Sequence, residues 1–156
     1  MNIKMEVIKR NGNTEEVSFD KIKSRILKMA TKSPKLEKID CAMISQKVIV
    51  GLYNNIKTTE LDESSASICT SLVTTNPEYS ILGSRIIISN NHKNTENTFG
   101  VKFKKLYENK IISQEVYECF LENKNIIEEN IDYERDYNFD YFGYKTLEKS
   151  YLQKVD

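Results

Sequence analysis

The stretch Val7-Ile8-Lys9-Arg10-Asn11-Gly12, running almost directly into Glu15-Glu16-Val17-Ser18-Phe19-Asp20-Lys21-Ile22, restricts the fold more than any other part of the chain. Asn-Gly is a strong hairpin signal, because a type I′ turn needs a positive φ at both central residues. Val7 and Ile8 are predicted to form a short strand before the turn, and Val17 and Phe19 to follow it. Ser18 or Asp20 can then cap a helix, since their side-chain oxygens accept from the free N–H groups of a first turn. Lys9 and Arg10 close the first strand, and Lys21 falls in the first helical turn. Cations beside unpaired N–H groups at a helix start suit a multiply charged anion. The anion expected here is a nucleoside triphosphate.

The 156 residues carry 23 basic and 23 acidic side chains, a net charge of zero. That balance argues against a general nucleic-acid binder, which shows a basic excess, so any anion site must be local. At 39% hydrophobic the chain can bury a core, and its two prolines and five glycines argue against extended disorder. No apolar run approaches the roughly 20 residues of a membrane span. Met1-Asn2-Ile3-Lys4 has no apolar signal region, so a secretory leader is not expected. Cys41, Cys69 and Cys119 are far apart and form no CxxC pair. Such a set predicts buried free thiols in a reducing, cytoplasmic compartment. His92 is the only histidine, and one histidine builds no metal site.

Helical periodicity dominates the rest. Phe19, Ile22, Ile26 and Met29 repeat at helical spacing, and a polar break with Pro34 follows. Asp40 is expected to cap a second helix with Ile44, Val48 and Leu52 inward, ending near Tyr53-Asn54-Asn55. Thr59 and Asp62 have capping-box spacing at the start of a third helix. Its apolar line is Leu61, Ile68 and Leu72, with Ser64, Ser65 and Ala66 allowing close packing. Asn76-Pro77-Glu78 opens a fourth helix with Tyr79, Leu82, Ile86 and Ile87 inward. Phe99, Phe103, Leu106 and Tyr107 predict a fifth helix, and Ser113 begins a sixth through Val116, Phe120 and Leu121. Thr146 is the expected cap of a last helix through Leu147, Tyr151 and Leu152.

Taken together, these residues resemble one family. Val7-Ile8-Lys9-Arg10-Asn11-Gly12 and Val17-x-Phe19-Asp20-Lys21-Ile22 are similar to the opening of the ATP-cone, a regulatory nucleotide-binding domain. Gly51-Leu52-Tyr53, Thr58-x-x-Leu61-Asp62 and Pro77-Glu78-Tyr79-x-Ile81-Leu82-x-x-Arg85-Ile86 match its later landmarks. Ser89-Asn90-x-His92-Lys93, Tyr133-x-Arg135-Asp136 and the run from Asn138 through Tyr144-Lys145-Thr146-Leu147-Glu148-Lys149-Ser150-Tyr151-Leu152 resemble the large subunit of class I ribonucleotide reductase.

The resemblance implies a mainly α (α+β) fold: a four-helix bundle under a small three-stranded cap, with the nucleotide between them. It implies an ATP-cone over residues 1–95 and a helical connector over 96–156 that leads to a catalytic barrel outside this chain. ATP or dATP, with Mg2+, would be the allosteric effector, one favouring the active enzyme and the other shutting it down. Carried over by position, Lys9, Arg10, Glu15, Glu16, Val17, Ser18, Phe19, Asp20, Lys21, Thr58, Asp62 and Lys93 would line the pocket. The cations would hold phosphates, and Arg10 would clamp two oxygens at once. The backbone from Glu15 to Val17 would face the adenine edge, with Ile22 and Phe19 against the ring. Asp62 would feel the ribose 2′-hydroxyl.

Plainer roles remain open for the same residues. Lys9 and Arg10 also fit surface charges at a strand end, Asp62 a helix cap, and Lys93 a dipole-matching lysine at a helix end. The implied partners are the rest of the large subunit, other copies of it and, indirectly, the small radical-generating subunit, with no nucleic acid and no membrane. No catalytic residue or catalytic cofactor is assigned, because the three cysteines match none of the family's catalytic positions. Alone, the chain is expected to reduce nothing, whether it is a fragment, a truncated product or half of a split enzyme. The alternative is a nucleotide-responsive module like the ATP-cone transcription repressors, which place a four-cysteine zinc ribbon before the cone, or an interaction module without nucleotide binding.

Overall fold

The computed structural model describes residues 5–96 and 98–153. The readings attached to residues 1–4 and to Asp156 lie outside them. Two strands, β1 (Glu6–Ile8) and β2 (Thr14–Glu16), form the expected hairpin. Helices α1 (Phe19–Ala30) and α2 (Cys41–Val50) follow, then β3 (Ile56–Lys57), α3 (Thr58–Ser71) and α4 (Glu78–Asn94). Next come α5 (Phe99–Glu108), α6 (Gln114–Asn130), a 3-10 helix over Tyr133–Asn138, and α7 (Tyr141–Ser150). The sheet order is β2-β1-β3, with β1 antiparallel to β2 and parallel to β3. The fold is the mainly α bundle with a three-stranded cap that the sequence implied.

The hairpin turn is not type I′. Gly12 sits at φ +83°, but Asn11 is not among the residues with positive φ. Gly12 N–H donates to the Lys9 carbonyl at 2.9 Å, and Lys9 N–H donates to the Asn13 carbonyl at 2.8 Å. This is a longer loop, in which only the position after the tight turn is left-handed. Lys9 and Arg10 therefore lie just past β1, and Val17 and Phe19 fall beyond β2.

Helices α1 to α4 close a ring of contacts, each packing on the next and α1 on α4. Their core contains Ile26, Ile44, Val48, Ala66, Cys69, Leu82, Ile86, Ile87 and Ile88. Burying each large aliphatic side chain contributes about 1.5–3 kcal/mol. A Cβ at Gly83 would stand 3.1 Å from the Ala66 carbonyl and 3.3 Å from Cys69 Cβ, so glycine lets α3 and α4 approach closely. Buried hydroxyls cost little here, because Ser45 Oγ donates to the Cys41 carbonyl at 2.6 Å and Ser65 Oγ to Leu61 at 2.7 Å.

Several helix ends differ from expectation. Asp40 caps α2 as predicted, but α2 stops at Val50, and Asn55 uses its left-handed conformation (φ 65°) at the entry to β3 instead. Thr59 caps nothing: α3 begins at Thr58 with no side-chain cap, because β3 runs directly into it. Asn76 accepts from Glu78 N–H at 3.0 Å and ties Lys38 through its amide. Asp140 rather than Thr146 caps α7, and Thr146 lies mid-helix, donating to Phe142. Residues 123–130 continue α6 without a break.

One further expectation is corrected. Cys119 is exposed, whereas Cys41 and Cys69 are buried. The aromatics of 133–144 divide: Tyr144 is buried in the bundle core, Tyr137 and Tyr141 pack against it, and Phe139 and Phe142 are exposed. This segment is clamped to the bundle by His92 Nε2 on Asp136 Oδ2 at 2.7 Å, by Lys32 beside Glu134 and over the Tyr137 ring, and by Ser84 Oγ on the Phe139 carbonyl.

Candidate functional site

A cavity of about 540 Å³ opens between the sheet and the adjoining ends of α1, α3 and α4. That is a usual size for a small-molecule site, for which about 300–1,000 Å³ is common. Val7, Val17, Ile22 and Leu61 give it an apolar floor, and Lys9, Arg10, Lys21, Arg25 and Lys93 supply cations around it. The local fold explains this placement. The hairpin loop holds Lys9 and Arg10 over α4, while Lys21 and Arg25 stand one turn apart on α1.

Of the residues singled out from sequence, Lys9, Arg10, Glu15, Glu16, Val17, Ser18, Lys21, Thr58, Asp62 and Lys93 line this cavity. Phe19 and Asp20 are not brought to it. Both are exposed on the first turn of α1 and neither lines the cavity. The Val17 N–H is committed to the Met5 carbonyl at 2.9 Å and is not available to a base edge. The N–H groups at the start of α1 are also not all unpaired, since Ser18 Oγ accepts from Lys21 N–H at 3.4 Å.

Four of the five cations are already held by carboxylates. Glu15 bridges the Lys9 and Lys21 ammonium groups. Asp62, buried to 6% exposure, accepts from Arg25 Nε at 3.0 Å and Nη2 at 3.1 Å, and from Arg10 Nη2 at 3.4 Å. Arg10 also donates to Asn94 Oδ1 at 2.7 Å and to Asn90 Oδ1. The buried Asn90 in turn donates to the Thr59 carbonyl at 3.3 Å, which links α4 to the start of α3. Lys93 as a residue is exposed, yet its pKa is lowered. Desolvation is the main cause, Arg25 adds to it, and Asp62 opposes it. An anion placed here would favour the charged form of Lys93 and oppose this shift.

Sequence reasoning missed Arg25, Asn90 and Asn94. Their signal lay in spacing: Arg25 is i+4 from Lys21, and Asn94 is i+4 from Asn90. What spacing could not give was the bidentate Arg25–Asp62 pair, which joins two different helices. It also could not show that Arg85, buried to 3% exposure, faces away from this site. Arg85 donates to the carbonyls of Met29, Lys32 and Pro34 at 3.1, 2.8 and 2.7 Å, and so holds the α1–α2 connection.

Among the described residues, no group of three or more His, Cys, Asp or Glu side chains gathers to hold a metal ion. No helix among them is long and apolar enough to cross a membrane. Chemically, the cavity offers charge, hydrogen bonds and an apolar face.

Comparison with known proteins is consistent with this arrangement. Residues 5–94 match the ATP cone domain. The chain is 42% identical over 164 residues to the ribonucleoside-diphosphate reductase large subunit of Dictyostelium discoideum, covering 98% of this chain and 19% of that protein. It is 42% identical over 160 residues to the large subunit of Plasmodium falciparum (isolate Dd2), covering 97% and 20%. It is 42% identical over 161 residues to that of Variola virus, covering 97% and 21%. The chain thus spans about a fifth of the length of the curated relatives it matches.

Proposed function

The chain belongs to the ATP-cone family, and from that premise we propose that the cavity under the sheet is an allosteric site for ATP and dATP in the large subunit of a ribonucleotide reductase. The observation that carries this reading is the set of five cations around an apolar floor: Lys9 and Lys21 held by Glu15, Arg10 and Arg25 held by Asp62, and Lys93 beside them. A triphosphate replaces Glu15 as the counter-charge of Lys9. It gains charge-assisted hydrogen bonds worth about 1.5–3 kcal/mol each when well placed. The adenine rests on Val17, Ile22 and Leu61, with Phe19 outside the contact.

Asp62 acts next to the ribose. Three of its acceptor positions are used by Arg25 and Arg10. A carboxylate offers about four such positions, so one remains for a sugar hydroxyl. In this reading residues 1–95 form the sensing unit and 96–156 connect it to the catalytic part, which lies outside this chain. Mg2+ accompanies the phosphates. ATP favours the active enzyme and dATP silences it by changing how large subunits assemble. The small radical-generating subunit feels the change indirectly. The compartment is the cytoplasm, where the three thiols stay reduced.

Thermal unfolding tests the site. A ligand that binds only the folded state at about 100 times its Kd adds roughly 2.7 kcal/mol of stability. ATP and dATP are expected to raise the Tm in a dose-dependent way. Lys9→Ala combined with Arg10→Ala is expected to abolish the shift with unchanged helical circular dichroism. A double variant that still shifts fully would refute the phosphate role.

A further inference from the structure

A second cavity, of about 500 Å³, adjoins the first. The two share Lys9, Arg10, Thr58 and Lys93. Their other walls differ in sign. The first includes Glu15, Glu16 and Asp62, while the second has no carboxylate in its lining and adds Lys57, Thr59 and Asn94. Lys57 is the second residue of β3, paired with Ile8, and it immediately precedes α3, whose N-terminus has no side-chain cap. Among the described residues neither Lys57 nor Lys93 is ion-paired, whereas Lys9 is paired with Glu15 and Arg10 with Asp62.

We infer that one nucleotide spans both cavities and that Lys57 is the residue that reads the length of its phosphate chain. This rests on the nucleotide reading above. The nucleoside belongs in the first cavity, which alone of the two combines an apolar floor with carboxylates able to accept from sugar hydroxyls. Those carboxylates repel the phosphates, which leave across the shared rim of Lys9, Arg10, Thr58 and Lys93. Beyond the rim the chain of phosphates enters a chamber whose charged side chains are all cations. The α-phosphate stays at the rim, and the last phosphate meets Lys57. A triphosphate is favoured over a monophosphate by this added cation and not by any contact to base or sugar.

Titration calorimetry of the chain with ATP, ADP and AMP, each with Mg2+, tests this beside Lys57→Gln and Lys57→Arg. Lys57→Gln is expected to weaken ATP about fivefold, the usual limit for an exposed charge pair, and to leave AMP within about twofold. Lys57→Arg is expected to restore the ATP preference. The ratio of ATP to AMP affinity within one variant cancels any general loss of fold. Equal weakening of all three nucleotides, or no change in the ratio, overturns the inference. Two equivalents of ATP per chain also overturn it, because a second nucleotide would then fill the basic chamber. No binding of any of the three by the unaltered chain overturns the nucleotide reading itself, and this one with it.

Discussion

The α1–α4 bundle and the α5–α6 pair are both helical, but they are held together differently. In the bundle, α4 alone buries ten residues, with Leu82, Ile86, Ile87 and Ile88 at 0–1% exposure. In the pair, α5 buries none and α6 only Phe120. Rings supply its cohesion: Phe120 lies 4.6 Å from Phe103 and 5.6 Å from Phe99, and Tyr107 stacks on Tyr117 at 4.4 Å. Ring pairs contribute about 0.5–1.5 kcal/mol each beyond their buried area, which does not replace a shared core. The difference teaches where a sensor can be built. The cations of the cavity hang on the elements whose positions the bundle core fixes, and none comes from α5 or α6.

The sharpest way to break this contrast is a cavity in the bundle. Ile86→Ala is expected to cost about 4 kcal/mol and to lower the Tm by about 10 °C, with the nucleotide-induced shift lost as the fold loosens. A drop of a degree or two would mean that the bundle core is not shared. Arg85→Ala comes next, at about 3 kcal/mol, because three carbonyls lose a charged donor at once. Its nucleotide affinity at low temperature should stay close to normal, since Arg85 does not line the cavity.

Phe120→Ala is expected to act locally. Amide exchange should quicken over residues 99–130 with protection of α1–α4 kept, and nucleotide binding should be unchanged. Loss of protection in α3 and α4 would show the two regions to be one cooperative unit. The mildest probe perturbs nothing. A thiol reagent should label Cys119 at once and leave Cys69 until global opening, because Cys69 is buried and its pKa is pushed up to about 12, chiefly by desolvation. Equal labelling rates would remove the contrast.

Local rules carried the sequence reading far. The caps Ser18, Asp40 and Ser113 and the inward face of α4 follow from side-chain chemistry within one or two turns. The ordered motifs named the family before any geometry was known. What local rules missed was decided at a distance. Thr59 and Asp62 had capping-box spacing, but β3 runs directly into α3 and Arg25 takes the carboxylate. Asn11-Gly12 promised one turn type, and the Lys9–Asn13 bond closed another. Tyr144 joins the bundle core only because α7 packs back on α4, a contact no local pattern states. The cations were legible from spacing, but their pairing with Glu15 and Asp62 was not.

The most direct test of the account is a crystal structure of the chain grown in saturating dATP. The prediction is an adenine against Val17, Ile22 and Leu61, with phosphates on Arg10 and Lys93 and Glu15 released from Lys9. An empty cavity with the Glu15–Lys9 and Glu15–Lys21 pairs intact, or dATP bound on another face, would contradict it.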